Sequence, residues 1–129
     1  MPPALRWTLA ATGVAILLAG CGGGTSRYTY AKTKACLQKR GLDVKAPQAS
    51  DFVARTASNA LRVVFQHNEV TVSFGADQKE ADGIVAGYHR FAGKNIGLAD
   101  VLRPQKNAVL LWEAHPSDQD QADVTGCLK

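Results

Sequence analysis

Nowhere does the chain supply the ~20 consecutive apolar residues that a membrane-spanning helix needs. It also lacks C-x-x-C, H-E-x-x-H, G-x-S-x-G, the Walker A pattern and the dinucleotide glycine pattern. With them go the recognisable signatures of thiol redox, zinc-protease, serine-hydrolase and nucleotide-binding chemistry. Ser26, Ser50, Ser58, Ser73 and Ser117 have no sequence partner that marks a nucleophile, and no cofactor pattern is present. What is present is a globular composition: 46% hydrophobic and 20% charged over 129 residues, enough for one core and too little for two.

The charge is unevenly spread. The whole chain carries 15 basic and 11 acidic residues, a formal net charge of +4. Between Gly22 and Lys45, Arg27, Lys32, Lys34, Lys39, Arg40 and Lys45 stand against Asp43 alone. From Ala46 onward ten acidic residues outnumber eight basic ones. Such a basic end suits an anionic neighbour, a lipid surface or an envelope polymer, but the surplus is too small to argue a nucleic-acid partner. A solvated helix face would need no partner at all.

The N-terminus reads as an export signal. Arg6 supplies the positive n-region, and Trp7 to Leu18 forms an apolar segment of suitable length. It closes on Leu18-Ala19-Gly20-Cys21, followed by three glycines. This pattern resembles the lipobox of bacterial lipoproteins. The resemblance implies cleavage after Gly20, a diacylglyceryl thioether on Cys21, acylation with chains such as palmitate, and an extracytoplasmic position on the cell membrane. The expected organisation is a signal peptide over 1–20, a lipidated glycine-rich tether over 21–28 and a single domain over 29–129. The spacer from Gly22 to Tyr28 extends at most ~25 Å, which places Lys32, Lys34, Lys39 and Arg40 near the membrane. Inner and outer membranes are not distinguished by these residues.

Cys36 and Cys127 remain after Cys21 is assigned. An even pair in an exported chain reads as a disulfide. Two buried thiols or a redox pair are the alternatives, and the absence of C-x-x-C weakens the second.

Local signals give an α+β order. Thr33 to Gly41 reads as a helix end, with Gly41 at a left-handed C′ position and Leu42 meeting Leu37 in a Schellman turn. Leu42 to Val44 reads as a short strand, and Ser50 or Asp51 as the cap of a short helix through Ala57. Leu61 to Phe74 alternates as a hairpin about His67-Asn68, pairing Phe65 with Val70, Val63 with Val72 and Leu61 with Phe74. Asp77 and Glu80 open a helix as a capping box. Its apolar stripe is Ala81, Ile84, Val85, Tyr88 and Phe91, ending at Gly93. Gly83 and Gly87 flank the stripe, which suggests close packing on the sheet. Ile96 to Leu102 is ambiguous between short helix and edge strand. Ala108 to Trp112 reads as a central strand, and Ser117 caps a last helix reaching Cys127. The order predicts a two-layer sandwich of helices on a mainly antiparallel sheet, with ferredoxin-like connectivity and extra N- and C-terminal helices.

Candidate sites are sparse. His67, His89 and His115 lack the i, i+3 or i+4 spacing of a ligand pair and read as surface residues. Glu113, Asp118, Asp120 and Asp123 form an acidic stretch without the glycine and terminal glutamate of a calcium loop. The dipole of the last helix accounts for its early carboxylates. The segment from Val109 to Leu128 resembles small envelope proteins of actinobacterial type, a likeness that carries no activity. Two functions follow as expectations: a lipid-anchored, non-catalytic binding or structural module, or a small envelope hydrolase. An apolar exposed face over the sheet would favour the first, and a polar cluster in a pocket the second.

Overall fold

The computed structural model describes residues 26–91 and 97–129. Cys21, the leader and the predicted helix stop at Gly93 lie outside the described residues. The elements are α1 (Tyr30–Lys39), β1 (Asp43–Lys45), α2 (Phe52–Thr56), β2 (Asn59–Val64), β3 (Glu69–Phe74), α3 (Gln78–Phe91), α4 (Leu98–Val101), β4 (Leu102–Gln105), β5 (Ala108–Trp112) and α5 (Asp118–Thr125). The strands form one antiparallel sheet in the order β1-β2-β3-β5-β4.

The chain is thus an α+β sandwich of helices on an antiparallel sheet. Val53 of α2 and Ala81, Ile84 and Tyr88 of α3 cover one face, over Val109 and Leu102. The terminal segments cover the other: Leu37 of α1, Val124 of α5 and Cys127 close over Leu61, Val63, Val70, Val72 and Leu110. Alternation in β5 explains how one strand serves both cores, since Ala108, Leu110 and Trp112 point one way and Val109 the other. The ferredoxin-like connectivity is not found. It needs each helix to link two parallel strands with a third strand between them, whereas here β1 and β2, joined through α2, are antiparallel neighbours, and α3 leads through α4 into the edge strand β4.

That edge strand, β4, is absent from the sequence reading. Arg103, Pro104 and Gln105 carry no apolar alternation, and proline is tolerated at an edge, where one side of the backbone needs no partner. Within the segment read as helix or strand, residues 98–101 form α4 and Leu102 opens β4, while Ile96 lies outside the described residues.

The hairpin has the right faces and the wrong register. Leu61 faces Val72 and Val63 faces Val70, so the turn is centred on Gln66-His67, with Phe65 N–H bonded to Asn68 O at 2.8 Å. Moving the turn by one residue shifts every partner by two, which keeps apolar residues on one face. Asn68 fixes the choice. Its Oδ1 accepts from the Glu69 and Ala114 amides at 2.9 and 3.0 Å, and its Nδ2 donates to Ala114 O.

The helix ends behave as their sequences require. Gly41 has φ of +78°, Gly41 N–H bonds Gln38 O, and Leu42 N–H bonds Leu37 O, completing the Schellman pattern. Asp51 caps α2 through Ala54 N–H and Ser117 caps α5 through Asp120 N–H. Gly87 is close-packed against α2 rather than the sheet: a Cβ there would lie 3.2 Å from Val53 Cγ1. Gly83 has no such neighbour.

Candidate functional site

The strands run between two unlike ends. At one, the chain enters the fold. Arg27 donates to Ala76 O, and Lys106 Nζ lies 3.3 Å from Ser26 Oγ and 5.1 Å from the centre of the Tyr28 ring. Beneath them Asn107 is 4% exposed. Its Oδ1 accepts from Tyr28 N–H, and its Nδ2 donates to Tyr28 O and Gly75 O, all within 2.8–2.9 Å. Lys106, with φ of 53°, is in the left-handed region, so the β4–β5 turn holds its side chain against the incoming chain.

Glu80 anchors the start of α3 at this end. Asp77 Oδ1 accepts from Glu80 N–H as expected. The glutamate reaches past the box, however, to Ala76 N–H at 2.6 Å and to Ser58 N–H and Oγ. The Ala76 amide and then the Ser58 hydroxyl hold its carboxyl below the usual glutamate range.

At the other end the α2/α3 face is incompletely covered, leaving a groove of about 520 Å³. Thr71 and Leu111 form the floor, α2 and α3 supply Phe52, Val53 and Phe91, and Leu98 closes one side. Phe52 and Phe91 are 62% and 65% exposed, with ring centres 5.9 Å apart and nearly perpendicular. A smaller hollow of about 240 Å³ lies on the far side of the same two rings. Phe91 therefore leaves the buried stripe predicted for it and becomes a rim residue.

The polar groups of the groove are unequally engaged. Tyr88 donates its hydroxyl to Asp51, 3.0 Å from Oδ2. Burial is the main reason its phenol pKa is raised; nearby Ser73 opposes the shift, and the Asp51 carboxylate reinforces it. Ser73 Oγ itself meets no described residue in hydrogen-bonding geometry. Glu69 is paired with Arg62 at 2.8 Å and bonded by Gln48. Glu113 stands directly opposite Glu69 across β3–β5, its N–H bonded to Glu69 O at 2.9 Å. Its carboxylate makes no ion pair or hydrogen bond with a described residue.

The structure separates what the sequence grouped. Glu113 belongs to the groove, while Asp118 and Asp120 occupy the first turn of α5. Lys32 is exposed near the entry end, and Lys34 lies over the Tyr30 ring. Lys39 and Arg40 stand at the far end of α1, about 10–12 Å on from Lys32 at ~1.5 Å per residue. Arg40 is turned toward α5, donating to Asp123 O at 3.0 Å. Lys34 and Arg40 are thus drawn aside, to Tyr30 and to Asp123, while Lys32 and Lys39 stay two turns apart on one face of α1. Cys36 and Cys127 meet at a disulfide distance, S–S 2.05 Å with Cα atoms 5.4 Å apart.

All three histidines are exposed. His67 and His115 share a third hollow, and Asp100 holds His115 Nδ1 at 2.8 Å. No nucleophile meets His115 among the described residues, nor do three metal-ligating side chains converge there or elsewhere among them. The sequence names Ser50, Asp51, Tyr88, Phe91 and Glu113 for other reasons but does not group them as a site, because the groove draws on β3, β5, α2, α3 and α4 at once. No described helix is long and apolar enough to cross a membrane. Neither a family model, nor a curated protein, nor a solved structure matches the chain.

Proposed function

We propose that this chain is a lipid-anchored module of a bacterial envelope, held extracytoplasmically through acylated Cys21, that binds an apolar ligand in the groove without chemistry of its own. The observation that carries the binding role is the pair of exposed rings, Phe52 and Phe91, facing each other over an apolar floor. Large apolar side chains left exposed together beside a concave surface mark a contact site. The anchor rests on Leu18-Ala19-Gly20-Cys21 and the glycines after it. The meeting of Cys36 and Cys127 supports an oxidising exterior.

The anchor also gives the molecule a direction. Six residues from Gly22 to Arg27 precede the first buried contacts, so the entry end lies against the bilayer. Arg27, Lys32 and Lys106 are among the cations there, and anionic lipid is their natural partner, at ~1 kcal/mol per residue. The groove then opens about 20 Å away along β3, at ~3.3 Å per residue.

Two measurements on the full chain test this reading. Intact mass should show lipid on Cys21, and Cys21→Ala should remove it; an unlipidated wild-type N-terminus would overturn the anchor. In phosphatidylcholine nanodiscs, 4-phenylbutan-1-ol should shift the methyl resonances of Val53, Leu98 and Leu111. Phe52→Ser with Phe91→Ser should suppress that shift, and unmoved wild-type methyls would overturn the binding site.

A further inference from the structure

We infer that the groove selects an amphipathic cation, an apolar body packed against the Phe52–Phe91 pair and carrying an ammonium or guanidinium group at Glu113. The inference rests on the groove being a binding site and names the class of its ligand. Three carboxylates line the groove, those of Asp51, Glu69 and Glu113, and no basic residue does. Asp51 is engaged by Tyr88 and by the Ala54 amide, and Glu69 by Arg62 and Gln48. Glu113 has no such partner among the described residues.

Its position makes that notable. Like charges directly opposite on one face of an antiparallel pair destabilise a sheet, and Glu113 faces Glu69 in that way. The Arg62 pairing relieves Glu69 alone. A carboxylate beside an apolar, low-dielectric wall projects its field into the cleft, which concentrates cations there. The exposed faces of Phe52 and Phe91 add to the preference, since an aromatic face attracts a cation. A volume near 520 Å³ suits a small organic cation.

Charge decides the test. The probes are 4-phenylbutylammonium, 4-phenylbutan-1-ol and 4-phenylbutyrate, titrated separately into the full chain in phosphatidylcholine nanodiscs. The readout is the Val53, Leu98 and Leu111 methyl shifts, which report the groove rather than partition into lipid. The ammonium should bind about tenfold tighter than the carboxylate, with the alcohol between, as one or two partly exposed charge pairs allow. Glu113→Gln should shrink that spread to about threefold, and Glu113→Lys should reverse its order. Equal affinity for all three probes would overturn the cation preference and leave the apolar site standing. Absence of any methyl shift would overturn both.

Discussion

Where the chain enters the fold, polar atoms are buried and paired; where β3 begins and β5 ends, aromatic rings and a carboxylate are left to solvent. Asn107 satisfies both backbone groups of Tyr28 and the Gly75 carbonyl at the first end. Phe52 and Phe91 cover nothing but each other and the lip of the groove at the second. The difference teaches which end is built for stability. A buried hydrogen-bonding hub loses the full desolvation penalty of its orphaned partners when removed, whereas an exposed ring contributes little to folding.

Substitution should separate the ends sharply. Asn107→Ala strands the Tyr28 and Gly75 groups and should lower stability by about 2–3 kcal/mol in urea unfolding. Phe52→Ser should change it by less than about 0.5 kcal/mol while weakening the phenylbutanol shifts. Similar destabilisation by both would erase the contrast.

A smaller effect should appear on membranes. Full-chain protein with Lys106→Gln should lose about 1 kcal/mol of added affinity for phosphatidylserine vesicles at ~0.15 M salt. Lys39→Gln, at the far end of α1, should lose almost none, since screening at ~0.15 M confines the attraction to ~8 Å. Equal losses would mean that the domain lies on its side.

The smallest effects are pH-dependent, and they have opposite signs. Glu80 is held below its usual value of 4.5, so its contribution is present above that pH and is lost as pH falls through the lowered value. Tyr88 is raised above its usual value of 10.0. Its contribution is present below pH 10 and declines as pH rises toward the raised value, where the unfolded chain ionises first. Stability curves of Glu80→Gln and Tyr88→Phe, each subtracted from wild type, should therefore slope only in acid and only in alkali. A Tyr88→Phe difference that stayed flat above pH 10 would show a phenol reached by water.

Several elements were legible because their causes are local. Gly41 after Lys39-Arg40 sets a left-handed helix end and Asp77 three residues before Glu80 sets a helix start, each through bonds within a few residues. Cys36 and Cys127 were legible as a pair by parity, given the export signal read at the N-terminus. The Leu61–Phe74 alternation gave faces but could not give register, since a shift of two partners satisfies the same pattern. Asn68 broke the tie through Ala114, 46 residues away in the chain.

The sequence by itself determined the helix caps, the alternation of β2 and β3 and the apolar run of β5, because short-range geometry and hydrophobic period act before the fold exists. Only tertiary structure decided that Pro104 joins an edge strand, that helices cover both faces, that Phe91 stays outside and that Glu113 confronts Glu69. Those outcomes depend on which surfaces remain once the core has closed, and no window of adjacent residues contains that information.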